Sequence, residues 1–175
     1  MKLILNSFQL ETIKNHCKNA LSSKPRKAFG LLFGTKAEDK WEVKEVINEG
    51  LKDVSRESEY YLFITSVFER VGWPQCDCPR EDMGFVIDPQ DVERAIQSSK
   101  QRGLELLGIY HLHPCEHRTD QSPELPSKVD IELAVPDILM MIVYGTRNQG
   151  IKSIRAFMVK DRKRNLIEEA KIIIS

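Results

Sequence analysis

The sequence predicts an α+β fold in one domain spanning residues 1–175. Three observations predict it. Apolar strand-like runs and amphipathic helical stretches are both present. They do not follow the regular strand–helix alternation of a doubly wound parallel sheet, which leaves α+β or a three-layer sheet. Splitting 175 residues in two would give each core fewer than about 90, so one core is expected.

Residues 2–6 read as a short strand. Asn6 and Gln9 then suit a helix N-terminus, and Leu10, Ile13, Cys17 and Leu21 recur at helical spacing. Ser22-Ser23-Lys24-Pro25 ends that helix. The continuous apolar run from Ala28 to Phe33 suits a buried strand, hairpin-linked through 35–40 to a partner carrying Trp41, Val43, Val46 and Ile47. Residues 50–84 carry the weakest pattern: Tyr60 to Val67 reads as a strand or a helix start, and Trp73 to Arg80 as a loop. Phe85-Val86-Ile87 reads as a strand. Asp88 at the N-cap and Pro89 at the first helical position open the next helix, with Val92, Ala95, Ile96 and Ser99 inward and Gly103 as its stop. Leu104 to His113 reads as a strand, 114–126 as a polar loop with three prolines, and 127–133 as a short capped helix. Residues 139–144, 154–159 and 172–174 read as late strands.

The 26 basic and 26 acidic side chains cancel, which disfavours a protein that coats nucleic acid or an anionic membrane. No apolar run approaches the ~18 residues of a membrane span, and the first six residues are too short an apolar stretch for a signal peptide. A cytoplasmic location is therefore expected. There, Cys17, Cys76, Cys78 and Cys115 are expected as thiols or metal ligands rather than disulfides.

The chemistry sits in Tyr110-His111-Leu112-His113-Pro114 and, further on, Ser127-Lys128-Val129-Asp130. Residues two apart on a strand face the same way, so His111 and His113 can converge on one ion. Asp130, in the first turn of the next helix, can add a carboxylate. Two imidazoles and one carboxylate leave a coordination position open, the pattern of a catalytic rather than a structural zinc. An open position holds water, whose pKa zinc lowers toward ~7, and amide or isopeptide hydrolysis is the natural use. Ser127 with Asp130 three residues later also matches an ordinary capping box.

These residues resemble the JAMM/MPN (JAB) metallopeptidase family, whose signature is an early Glu, His-x-His-Pro and Ser-x-x-Asp. Further stretches add to the resemblance: Gly30-Leu31-Leu32-Phe33-Gly34, Asp88-Pro89, Gly108-Ile109-Tyr110-His111, Val135-Pro136, Met141-Ile142-Val143 and Arg155-Ala156-Phe157. It covers about residues 3–160. It implies a single MPN-like domain with a curved mixed sheet flanked by helices, in a three-layer arrangement like that of cytidine deaminases. It also implies zinc on His111, His113 and Asp130, with Ser127 supporting the oxyanion. The substrates implied are peptide or isopeptide bonds at the C-terminal tail of a ubiquitin-like or sulfur-carrier protein. Some family members are inactive scaffolds.

One position departs from the family. Its general-base Glu falls on Lys27, which the zinc charge would repel, so Lys27 is expected to turn outward. Glu49 is the substitute base expected first; Glu45, Glu116, Asp120 and Glu124 are further acids near the site, and Asn48 matches an Asn frequent in the family. The loop between His113 and Ser127 is longer than the family pattern. It brings Cys115 and His117, either of which could serve as a fourth zinc ligand, and Cys76-Asp77-Cys78 could join them in a second metal site. Two readings stay open: a zinc isopeptidase, or a non-catalytic MPN module that binds zinc or a protein partner. For either, the expected partner is a ubiquitin-like or sulfur-carrier protein, with no nucleic acid and no membrane, and a homodimer as the assembly.

Overall fold

The structure, a computed structural model, describes all 175 residues. Seven strands and four α-helices follow in the order β1 (Lys2–Leu5), α1 (Ser7–Ala20), β2 (Phe29–Lys36), β3 (Lys40–Ile47), α2 (Ser58–Val71), α3 (Pro89–Gln101), β4 (Glu105–His113), α4 (Lys128–Leu133), β5 (Leu139–Thr146), β6 (Gly150–Asp161) and β7 (Leu166–Ile174). A 3₁₀ turn, Arg80–Asp82, separates α2 from α3. No helix is long and apolar enough to cross a membrane.

The α+β class holds, but the sheet is not an open curved layer. It closes into a barrel in the order β1-β3-β2-β4-β5-β6-β7. Closure comes from β1, which pairs in parallel with β3 on one side and with β7 on the other. β7 starts at Leu166 and is longer than the apolar 172–174 stretch suggests; Glu169 and Lys171 are exposed while Ala170 between them faces the core. Small barrels fill their interior with side chains. Here Leu3, Leu32, Tyr110, Met141, Val143 and Ala156 do so, joined by Ile13, Cys17 and Ala20 of α1.

The local elements follow from their sequences. Asn6 accepts the Gln9 amide at 2.8 Å while the Gln9 side chain accepts the Asn6 amide at 2.9 Å, a complete capping box for α1. β2 reads as an unbroken apolar run because both faces are covered. Leu32 points into the barrel, whereas Phe29, Leu31 and Phe33 meet Ile87 and Ala95 on the outside, under α3. Asp88 caps α3 through the Gln90 amide, and Gly103, at φ +74°, ends the turn after it.

Two expectations are corrected and one open alternative is resolved. Tyr60 to Val67, read as a strand or a helix start, belongs to helix α2, whose inner side is Ile64, Val67 and Phe68. Its exposed Tyr61, Leu62 and Phe63 blur the helical period. Phe85-Val86-Ile87 is not a strand. It makes one isolated bridge, Asp53 with Ile87, through two backbone bonds, Val54 amide to Val86 carbonyl and Asp88 amide to Lys52 carbonyl. On α3, Ile96 is exposed and Asp91 is buried in its stead, accepting the Lys52 amide at 2.9 Å.

Candidate metal centre

β4 runs antiparallel to β2 and parallel to β5, so its C-terminal end is fixed from both sides. That end carries His111 and His113, whose rings fall on one face as their spacing requires. The loop 114–126 then crosses to α4. Helix α4 packs Val129 against Ile64, Val67 and Phe68 of α2, which sets Asp130 over the two imidazoles.

His111 Nε2 and His113 Nε2 are 3.0 Å apart. Asp130 Oδ1 lies 3.2 Å from His111 Nε2, and Asp130 Oδ2 lies 3.3 Å from His113 Nε2. The two imidazole nitrogens thus face the Asp130 carboxylate, one opposite each oxygen, with donor separations of 3.0–3.3 Å, close to the edges of a coordination tetrahedron. Bonds of about 2.0–2.1 Å give a tetrahedron edges of roughly 3.3–3.4 Å, so the donor set suits an ion of zinc's size. Second contacts orient the ligands. His113 Nδ1 lies 2.8 Å from the Pro123 carbonyl, so it carries the hydrogen and leaves Nε2 free to bind metal. Phe85 covers His111 with ring centroids 5.3 Å apart, and Phe29 stacks on Phe85 at 4.9 Å.

Ser127 forms the capping box of α4. Its Oγ accepts the Asp130 amide at 3.1 Å, and its own amide donates to Asp130 Oδ2 at 2.6 Å. The capping box therefore orients the candidate ligand carboxylate of Asp130. Burial opposes ionisation of Asp130, but the two imidazoles outweigh it and hold the carboxyl well below the usual carboxylate range.

Lys27 does not turn outward. Phe29 pairs with His111 and the Leu112 amide donates to the Ala28 carbonyl, so Lys27 reaches the level of His113 and lines the same cleft. Its side chain is only 10% exposed and donates to Asp53 Oδ2 at 2.9 Å and Ser55 Oγ at 3.3 Å. Asp53 Oδ1 accepts the amides of Ser55 at 2.9 Å and Val86 at 3.1 Å. Burial pushes Asp53 up, yet these donors outweigh it and hold the carboxyl below its ordinary value. Asp53 carries no motif, and its place beside Lys27 appears only in the fold.

The other acids are not brought to this donor set. Glu49 is exposed in the turn after β3, outside the residues that line the cleft. Glu45 is held by Ser99 at 2.9 Å and Arg102 at 2.5 Å on α3. Asp120 holds Arg118 at 2.7 Å, and Glu124 stands 3.7 Å from Arg155. Asp82 does line the cleft, but it accepts both the backbone amide and the guanidinium of Arg26 at 2.7 Å.

Neither Cys115 nor His117 joins the His111–His113–Asp130 group. Cys115 gathers instead with Cys76 and Cys78, with all three sulfurs within 4.8 Å of one another. The ring of His117 is exposed.

A family model for prokaryotic homologs of the JAB domain matches residues 10–160. No curated protein matches the chain. Among solved structures, the solution structure of a protein from Desulfitobacterium hafniense is similar at TM-score 0.61 and 20% identity, over 99% of this chain and 92% of that one. A solution structure from Salinibacter ruber is similar at TM-score 0.59 and 20% identity, over 100% of this chain and 92% of that one. At such identities these likenesses show a shared fold.

Proposed function

The chain belongs to the family of prokaryotic homologs of the JAB domain, and on that premise we propose that it is a zinc-dependent isopeptidase or peptidase. Its substrate is the C-terminal tail of a ubiquitin-like or sulfur-carrier protein, cut in the reducing cytoplasm, where four free thiols are at home. The observation that carries this reading is the convergence of His111, His113 and Asp130, a donor set that would hold an ion and leave a position free.

Bound zinc supplies Lewis acidity toward the scissile carbonyl and activation of water. The chain's own residues do the rest. Ser127 Oγ uses a lone pair on the Asp130 amide, so its hydroxyl proton is free to donate to the substrate oxygen as negative charge develops. Apolar walls from Phe68, Phe85, Val135 and Ile138 exclude water and suit an extended tail.

A second reading, a non-catalytic module that holds zinc and binds the tail, is favoured by one observation. The position of the family's general base is filled by the Lys27–Asp53 pair, and Asp82, the other cleft carboxylate, is tied to Arg26. Turnover separates the two readings. The zinc-loaded chain is offered linear fusions of ubiquitin-like and sulfur-carrier proteins. Cleavage that disappears in D130A supports the enzyme. Tail binding without any cleavage, in protein with zinc on this triad, overturns it in favour of the module.

A further inference from the structure

We propose that Cys76, Cys78 and Cys115 form a second, structural zinc site that staples the 72–79 loop to the start of the 114–126 loop. The three sulfurs lie within 4.8 Å of one another, although they come from segments 37 residues apart. Both segments lack regular structure. They are joined by the Cys76–Arg118 bridge, made of backbone bonds from Asp77 to His117 at 3.2 Å and from Thr119 to Gln75 at 2.8 Å, with the His117 amide donating to Asp77 Oδ1 and Thr119 Oγ1 to the Gln75 carbonyl. A crosslink has most to add where so few hydrogen bonds hold two loops.

The chemistry of the donor set selects the ion. Three thiolates are soft ligands and favour zinc among the abundant divalent metals. The remaining histidines and cysteine are otherwise committed: His111 and His113 face Asp130, His16 meets the Tyr110 hydroxyl at 2.7 Å, and Cys17 is in the barrel core. His117, two residues after Cys115, is left to supply the fourth ligand of a closed Cys3His structural set. Zinc–sulfur bonds of about 2.3 Å set sulfur–sulfur edges near 3.8 Å, so an ion would open the 2.9 Å separation of Cys78 and Cys115.

A disulfide is the competing account of the same cluster. It would use two sulfurs and leave the third beside it as an attacking thiol. The metal site uses all three.

Zinc per chain tests the proposal on the full-length protein purified under reducing conditions. Two zinc ions are expected in the wild type, one in C78S/C115S and one in H113A/D130A. Equal zinc in C78S/C115S and wild type overturns the proposal, and so does a metal-free H113A/D130A. If the cysteine variant fails to fold, cadmium added to H113A/D130A provides the second measurement. The ultraviolet thiolate-to-cadmium charge-transfer band is expected, and its absence overturns the site. Thiol titration of denatured, unreduced protein should count four thiols; a count of two means a disulfide and also overturns it.

Discussion

The Lys27 ammonium donates to Asp53 at 2.9 Å, on the cleft wall level with His113. A cation and its counter-ion thus line the cleft at the position where the sequence resemblance places the family's early Glu. Substituting Lys27 by Glu alone would set two carboxylates together, a like-charge pair that raises one pKa and costs stability. The double variant K27E/D53N removes that repulsion. K27E is expected to melt lower than wild type, and K27E/D53N to recover most of the loss. General-base catalysis is worth about 10²–10⁴-fold, so the double variant should cleave a ubiquitin-like fusion at least tenfold faster than wild type. An unchanged rate in a folded, zinc-loaded double variant would show that Lys27 is not what limits turnover.

The same pair gives a pH signature. Asp53 has a folded pKa below its unfolded value near 3.9. Its contribution to stability is therefore full above about pH 4 and fades as the pH falls through the lower folded value. Losing these charge-assisted bonds in D53N should cost about 1–3 kcal/mol at pH 7. Urea titrations of both proteins at pH 7 and near pH 3 check the sign: the gap between them should narrow in acid.

Ser127 has a structural and a chemical task that one substitution separates. S127A removes the cap on α4, worth about 1 kcal/mol. It leaves all three zinc donors in place, so bound zinc should match wild type. It also removes the hydroxyl proton available to a developing oxyanion, a loss of about 10²–10³ in turnover. A fall in zinc content equal to the fall in rate would mean that Ser127 acts only by aiming Asp130.

How much of this was legible in the sequence depends on how local each feature is. His111, His113, Ser127 and Asp130 are set by a strand period of two and a helix first turn, and both periods are visible in the residues themselves. The fate of Lys27 is not, because Asp53 reaches it from a stretch with neither helix nor strand, positioned by bonds to Ser55 and Val86. Barrel closure is hidden for the same reason: β1 meets β7 across almost the whole chain, in a parallel pairing that no turn announces. The Cys76-x-Cys78 spacing is plain, whereas its meeting with Cys115 depends on how two irregular loops cross. Short apolar runs mislead where burial is one-sided. The stretch 85–87 covers the outer cluster by Phe85 and Ile87 without joining the sheet.

Gly30 ties the fold to the site. A Cβ built there would lie 2.3 Å from Tyr110 Cε1, because the Tyr110 ring crosses directly over β2. That ring cannot swing away without cost: it is fully buried, and its hydroxyl meets His16 Nδ1 at 2.7 Å. Tyr110 immediately precedes His111, so the Gly30–Tyr110 contact helps set the β2–β4 register that puts Lys27 and Phe29 beside the metal ligands. Overpacking of this kind costs about 1–3 kcal/mol, and G30A should show that loss in urea unfolding together with weaker zinc binding in chelator competition. Trimming the ring in Y110V makes room for the added methyl. G30A/Y110V should then be more stable than the sum of the two single losses, by a coupling of at least 0.5 kcal/mol. Strict additivity would mean that Gly30 is required for something other than the tyrosine above it.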